Sequence, residues 1–303
     1  MDSCENGDRL MLNIGCGKRT NPEWVNIDFR PLTRSVIRHD IREPLPFDDN
    51  LFDVVYHSHV LEHLTRAKAN SLVSQCYRVL RPGGIIRIVV PDLEELARNY
   101  LNCLEDAREL TKDKEWMMVK YQWSVIEMLD QLVRERHGGE MLEFIRACEE
   151  TKLRFVRERL GSELDTIIQD LSSKHLGNLP ARSSQSFRAV VKRSMRRCLN
   201  LIIGQKTKIR DVFGWHARNQ QESRSGSGFN TFQESGELHK WMYDSCSLSK
   251  LLEFHAFTDI ERMSHSQSKI RGWSESNLDV DTFGSPYKPN SLIMEAVKPM
   301  ISP

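Results

Sequence analysis

Leu10-Met11-Leu12-Asn13-Ile14-Gly15-Cys16-Gly17 is an apolar run that stops on two glycines. A run this short and apolar reads as a buried strand. Glycine at its carboxyl end lets the backbone turn, or approach a ligand, without a Cβ in the way. In open α/β sheets that end of a strand is where nucleotides bind. Taken alone, Gly15-Cys16-Gly17 is equally a tight turn, because any sharp reversal asks for small residues.

The chain that follows decides between the two. Residues 24–29 read as a second strand carrying Asp28, thirteen residues after Gly15. A carboxylate there is placed to accept both ribose hydroxyls. Residues 36–40 read as a weaker third strand ending on Asp40, positioned to receive an amine from a base edge. Residues 52–58 form a fourth strand, leading into His57-Ser58-His59 at the crevice, and residues 85–90 a fifth. Between these two, Leu72, Val73, Cys76, Val79 and Leu80 recur at helical spacing, and Arg81-Pro82-Gly83-Gly84 stops the helix. Such alternation favours a parallel sheet covered on both faces.

Past residue 93 the pattern turns helical, over 93–104, 115–136 and 141–160, with breaks at Gly138-Gly139 and Gly161. Residues 187–203 read as a basic amphipathic helix and 220–230 as a Ser/Gly-rich loop. Regular structure resumes with a helix over 241–254 and strands over 258–263 and 291–297, joined by a polar, turn-rich stretch at 264–289. The expected organisation is a nucleotide-binding half over 1–100, a helical insertion with a basic segment over 101–236, and a closing part over 237–303. The insertion is expected to wall the acceptor side.

The composition, with 39% hydrophobic and 28% charged residues, is that of an ordinary globular protein. A net charge of +1 excludes a wholesale polyanion binder, yet residues 181–230 hold eleven Lys/Arg against Asp211 and Glu222 alone. Seven scattered cysteines without CxxC spacing exclude a zinc framework or disulfide scaffold and point to a reducing cytosol. The acidic start is unlike a signal peptide, and no apolar run approaches the roughly 20 residues that span a bilayer. Attraction of the basic stretch to a nucleotide sugar, a lipid-linked saccharide or anionic headgroups through 187–203 is one reading; a solvated surface is the other. No nucleic-acid-binding module accompanies it.

The ordered set Leu12-Asn13-Ile14-Gly15-Cys16-Gly17, Asn26-Ile27-Asp28, Pro46-Phe47, Phe52-Asp53-Val54-Val55, Val60-Leu61-Glu62-His63 and Arg78-Val79-Leu80-Arg81-Pro82-Gly83-Gly84 resembles the class I S-adenosylmethionine (SAM)-dependent methyltransferases, closest to their small-molecule type 11 group. The resemblance covers about residues 10–100 and the closing segment from Leu238 to Val297. It implies an α/β, Rossmann-like, mostly parallel sheet with an antiparallel last strand, and SAM as cofactor. Gly15, Cys16 and Gly17 would then back the methionine part, Asp28 hold the ribose, Asp40 and Ile41 border the adenine, and the backbone near His57 meet the methionine end. Gln131-Leu132-Val133-Arg134, Gly138-Gly139-Glu140-Met141 and His239-Lys240-Trp241-Met242-Tyr243-Asp244 resemble a bacterial branch that accompanies glycan and surface-polysaccharide synthesis.

Three departures stand out. Asn13 replaces the usual acid before the glycines and would meet the SAM ammonium without charge assistance. Arg19 replaces the third glycine. Gly15 to Glu23 is too short for more than a turn of helix, which reduces dipole support.

For the acceptor, His59, Glu62 and His63 lie at i, i+3 and i+4 and would share a face if the chain turns helical at His59. Histidine titrates near working pH, which makes His59 or His63 the candidate base for a hydroxyl acceptor, with Glu62 on the substrate side. The rival reading packs His63 as a hydrogen-bonded loop anchor with Glu62 as a cap. A magnesium motif, Glu-x-x-Glu-His, is matched only in its last two positions, and a hard cation prefers oxygen where His59 stands. His57-x-His59 as a metallohydrolase pair leaves the glycines and Asp28 without a purpose. Trp241 and Tyr243 offer faces on which a sugar ring would stack, or else pack a helix start.

Overall fold

The computed structural model describes residues 9–109, 113–174 and 236–300. The basic stretch 181–230, with its expected helix over 187–203, lies outside the described residues. In chain order the elements are β1 (Met11–Ile14), β2 (Val25–Asp28), β3 (Ile37–Arg38), β4 (Phe52–Ser58), a 3-10 turn (Leu61–His63), α1 (Arg66–Val79), β5 (Leu80–Pro91), α2 (Leu93–Arg108), α3 (Lys114–Val133), α4 (Gly139–Ala147), α5 (Glu150–Leu160), α6 (Glu163–Lys174), α7 (Ser245–Phe254), β6 (Thr258–Met263), α8 (Trp273–Ser276) and β7 (Ser291–Val297). The chain divides into two compact units. One comprises the residues to Asn99 with Phe155–Leu164 and those from Leu238 onward; the other comprises Tyr100–Arg154 and Asp165–Glu237.

The first unit holds one seven-stranded sheet in the order β3-β2-β1-β4-β5-β7-β6. β1, β2, β3, β4 and β5 pair in parallel, and β7 runs antiparallel to both β5 and β6. This is the mostly parallel α/β sheet with an antiparallel last strand that the sequence predicts. Sequence order reverses direction at β1 and β4, and the chain leaves the carboxyl ends of those strands at Gly15 and His59. That switch point is where a ligand crevice forms in such sheets.

Several boundaries differ from expectation for local reasons. β3 is only two residues, both exposed at the sheet edge. β5 begins at Leu80, because the pairing with β4 shifts register between Phe52 and Val54 and carries Arg81 to Gly84 as an irregularity inside the strand. The helix expected over 141–160 breaks at Cys148, whose backbone is extended, giving α4 and α5. The helix expected from Trp241 starts at Ser245. Asp244 accepts the Ser247 N–H at 2.7 Å while its own N–H reaches the Ser247 hydroxyl, a reciprocal cap that fixes the start.

Side chains alternate between the two faces with period two. Leu12, Ile14, Ile27, Val55, Ile86, Ile88, Val90, Leu292 and Met294 pack under α1 and α7, which present Leu72, Val73, Cys76, Leu248 and Leu252. On the other face Val54, Tyr56, Val89 and Ile293 pack against Trp24, Ile270, Trp273 and Leu278. That second face is covered by the polar 264–289 stretch, which is held down by a buried cation. Arg87, fully buried, donates to Asp279 and Glu295 and to the carbonyls of Ser264 and Gln267, and lies 4.4 Å over the Trp273 ring. Tyr56 adds a hydroxyl bond to Asp279 at 2.6 Å.

In the second unit, Asp130 of α3 caps α4 by accepting the N–H groups of Glu140 at 2.7 Å and Met141 at 3.4 Å. A Cβ on Gly139 would meet that carboxylate at 2.5 Å, which explains the glycine. Arg134 bridges Asp130 and Glu237, and Glu237 also accepts from Gly138 N–H and contacts His137. The Gln131–Arg134 and Gly138–Met141 motifs therefore have a folding role: they lock the α3–α4 corner.

Two outcomes are expected. Arg87→Met, which leaves Asp279 and Glu295 buried without their cation, lowers the unfolding free energy by about 3–5 kcal/mol in urea titration. Glu237 sits in partial burial that opposes its charge, yet the Gly138 N–H, Arg134 and His137 draw its pKa below the ordinary 4.5. Its contribution is thus present above pH 4.5 and lost as pH falls through the depressed value. Wild type and Glu237→Gln should differ by no more than about 1 kcal/mol near neutrality, a difference that closes in acid.

Candidate active site

The glycine turn is built by β1 handing its chain to β2. The N–H groups of Gly15 and Cys16 both reach the Ile27 carbonyl, at 2.8 and 3.2 Å. Gly15 and Gly17 adopt left-handed φ values of 65° and 52°. A Cβ on Gly15 would stand 2.5 Å from Val60 Cγ2, whereas one on Gly17 would meet nothing within 4 Å. The first glycine is thus demanded by packing, and the second leaves open space above the turn. The Gly17 N–H donates to Asp28 Oδ2 at 2.9 Å, so the carboxylate at the end of β2 is tied to the glycines that precede it. Asp28 Oδ1 accepts the Arg30 N–H at 2.7 Å. Burial and the neighbouring Asp28 charge push the Cys16 thiol up to about 11, so it stays protonated.

Asn13 is buried, and its amide nitrogen donates to the Arg19 carbonyl at 2.9 Å and to Asn26 Oδ1 at 3.0 Å. Arg19 lies 4.4 Å over the Tyr287 ring and donates to the Asn277 and Val280 carbonyls. The two departures from the expected motif are thus consecutive links that fasten the turn to the 264–289 stretch. Asp40 lies beyond β3, which ends at Arg38. Its carboxylate is gripped by the Arg42 guanidinium, with Nη2 at 2.6 Å from Oδ2, and this lowers its pKa. Ile41 packs half-buried against the core.

At the end of β4 the structure departs from the helical arrangement expected for His59, Glu62 and His63. His59 adopts a left-handed φ of 53°, and the following residues form a 3-10 turn, not an α-helix. A non-glycine residue held there costs of order 1–3 kcal/mol, and such strain concentrates at functional sites. The three side chains nevertheless meet. His59 Nδ1 lies 3.0 Å from Glu62 Oε1, and His63 Nε2 lies 3.9 Å from it. The far edge of His59, Nε2, contacts the Ser291 hydroxyl at 3.0 Å. His57 does not face the crevice: its ring is fully buried, neither nitrogen has a hydrogen-bond partner among the described residues, and burial lowers its pKa to about 4.

His239 completes the cluster, edge-to-face with His63 at 4.8 Å between ring centroids. The Glu62 carbonyl accepts the N–H groups of Lys240 and Trp241 at 2.7 and 3.2 Å, which seats the 238–241 segment on the turn. Glu62 is fully buried. Burial opposes its charge, but His59, His63 and His239 outweigh it and draw the pKa to about 2. Burial drives His59 below its ordinary value and His239 to about 3. These tendencies compete for the same protons. His59 Nδ1 approaches Glu62 Oε1 to 3.0 Å, although neither carboxylate oxygen has a hydrogen-bond partner among the described residues.

Of the proposed aromatic walls, Tyr243 is buried in the core, where burial and the Glu62 charge raise its hydroxyl to about 12. It offers no free face. Trp241 is 40% exposed, with the Arg66 guanidinium 4.8 Å over its ring. Sequence reasoning missed His239 and Ser291 as members of this cluster. His63 and its carbonyl partner Leu238 are 175 positions apart, so no local spacing announces the contact. A shallow depression lined in part by Ser58, Asp279, Tyr287 and Lys288, with room for little more than a water molecule, lies at the carboxyl end of β4.

The methyltransferase domain family model matches residues 12–88. A probable S-adenosylmethionine-dependent methyltransferase of Mycolicibacterium smegmatis is 43% identical over 101 residues, covering 28% of this chain and 38% of that protein. An uncharacterized methyltransferase of Synechocystis is 43% identical over 49 residues, covering 16% of this chain and 23% of its own. The chain thus spans less than two fifths of the length of these curated relatives. The solved CurJ carbon methyltransferase aligns over 98% of this chain and 50% of that one, at 11% identity and a TM-score of 0.36. The space above Gly17 and the adjoining Asp28 carboxylate leave room for a ligand at the carboxyl end of β1.

The two glycines should respond differently to alanine. Gly15→Ala combines a left-handed backbone with a clash on Val60 and should cost about 2–3 kcal/mol in chemical unfolding. Gly17→Ala carries only the backbone strain and should cost about 1 kcal/mol.

Proposed function

We propose that the protein is a SAM-dependent methyltransferase that methylates a hydroxyl of a small-molecule or glycan-type acceptor, such as a sugar or lipid-linked saccharide. The observation that carries this reading is the Gly15–Gly17 turn with its open upper side and its bond to Asp28, set within the 12–88 methyltransferase segment. Gly15, Cys16 and Gly17 would back the methionine part, Asp28 the ribose, and Asp40 and Ile41 the adenine. SAM supplies an electrophilic methyl group on a sulfonium. The protein's own work is then to position the acceptor, exclude water and take a proton.

His59 is the proton acceptor in this reading. Its Nδ1 is oriented by the buried Glu62 carboxylate, and its Nε2 lies at hydrogen-bond distance from a hydroxyl, that of Ser291. His63 has its Nδ1 committed to the Leu238 carbonyl at 3.1 Å. We seat the acceptor beside His59, toward the polar groups of Ser58, Tyr287 and Lys288 at the carboxyl end of β4. The glycan class rests on the resemblance of residues 131–141 and 239–244. Contact with anionic membrane through 187–203, and a cytoplasmic location, belong to the same proposal. No helix among the described residues is long and apolar enough to cross a membrane.

Calorimetry with SAM and S-adenosylhomocysteine, followed by transfer of labelled methyl to hydroxylated sugars and lipid-linked saccharides, tests the reading. Asp28→Ala should abolish detectable SAM binding, while His59→Ala should retain it and lose about 10²–10⁴ in kcat. Absence of SAM binding by the wild type sinks the proposal. Binding without turnover on any acceptor favours a non-catalytic SAM-binding scaffold.

A further inference from the structure

The cluster behind His59 holds more donor atoms than proton chemistry requires. The Glu62 carboxylate is 0% exposed, and neither of its oxygens has a hydrogen-bond partner among the described residues. A buried carboxylate oxygen left without a donor is costly. Glu62, His63 and His239 each offer one ligand atom, and these atoms lie within 4.8 Å of one another.

The tautomer of His63 sharpens the point. Its Nδ1 faces the Leu238 carbonyl, which can only accept, so Nδ1 carries the proton. Its Nε2 turns toward Glu62 Oε1 at 3.9 Å, too far for a hydrogen bond. A cation between the two atoms would serve both. Two metal–ligand bonds of about 2.0–2.2 Å reach at most about 4.4 Å end to end and hold tetrahedral ligand atoms about 3.4 Å apart. The 3.9 Å pair is within that reach, and the 4.8 Å that bounds all three atoms exceeds it by a few tenths of an ångström, a gap that ion binding would have to close. The carbonyl bond on His63 Nδ1 and the His59 contact on Glu62 are the outer partners that orient metal ligands elsewhere.

We propose that Glu62, His63 and His239 bind a single divalent metal ion of the zinc class, with a coordination position left for an outside ligand. Two imidazoles and one carboxylate select zinc-like transition metals over magnesium, which takes oxygen and keeps its waters. Three protein ligands are the count of an open site, not of a closed structural one. His63 is partly exposed, so the position has access to solvent. All the ligands belong to the same compact unit, and the site requires no SAM, so its fate is separate from that of the methyltransferase reading.

The test uses the full chain, stripped with a chelator and titrated with zinc chloride by calorimetry and by elemental analysis after dialysis. One equivalent of zinc per chain is expected, undisturbed by millimolar magnesium. His239→Gln should weaken zinc binding by about 100-fold or more. A second measurement stays on the wild type: carbethoxylation of His63 and His239, mapped by mass spectrometry, should be suppressed by zinc. Cobalt uptake should give the intense visible absorption of a tetrahedral site. No stoichiometric uptake, equal affinity in His239→Gln, or unprotected histidines in the zinc-treated wild type would overturn the site.

Discussion

A guanidinium with no exposed surface organises one whole face of this sheet. Arg87 points from the middle of β5 to the side where a typical α/β sheet would carry helices, and here it meets an irregular chain. Irregular backbone over a core brings carbonyls that need donors. Arg87 supplies them to Ser264 and Gln267, while its charge is balanced by Asp279 from the covering chain and Glu295 from β7. Glu295 in turn accepts from the Ser268 hydroxyl and the Lys269 N–H. The price of burying three charges is high, and a hydrophobic triad would often fold as stably. The ionic version gives directional attachment of one particular loop, which apolar contacts alone do not.

That attachment reaches the glycine turn. The same covering chain carries Asn277, Val280 and Tyr287, the three contacts of Arg19. Arg19 lies in the segment that elsewhere would begin a helix, and among the described residues β1 and β2 have no helix between them. A helix would satisfy its own amides and hold the loop rigid. In its place Asn13 binds the Arg19 carbonyl, and Arg19 binds the covering chain. Rigidity of the pocket floor comes from the side chains of Asn13 in β1 and of Arg19, the latter anchored on 264–289.

The legible part of the molecule is the part whose physics is local. Apolar runs bounded by turn residues in 52–58 and 291–297 gave strands at those limits, and the Leu72–Leu80 stripe, stopped by Arg81–Gly84, gave α1. The glycine turn and Asp28 were legible because a left-handed backbone and a strand-end carboxylate leave residue-type signatures. The α-helical reading of His59–His63 failed because i, i+4 spacing cannot distinguish an α-turn from a left-handed residue followed by a 3-10 turn. The polar 264–289 stretch looked like a linker because its hydrophobic contribution is only Ile270, Trp273 and Leu278, spread among turn residues. Its partner, Arg87, sat inside an apolar strand with nothing nearby in sequence to mark it as a cation with a structural role.

Glu62 shows why the site's chemistry was harder to read than its fold. The residue performs two unrelated tasks from one position. Its backbone carbonyl accepts Lys240 and Trp241, which draws the returning chain onto the end of β4 and brings His239 beside His63. Its side chain then faces the imidazoles so assembled. The second task depends on the first: without the two carbonyl bonds, His239 would have no fixed position relative to the carboxylate. A buried anion is a poor stabilising device, since burial opposes its charge. Its place at the end of β4, next to a strained His59, fits a group that holds something in position, be that a proton on His59 or a cation between its neighbours.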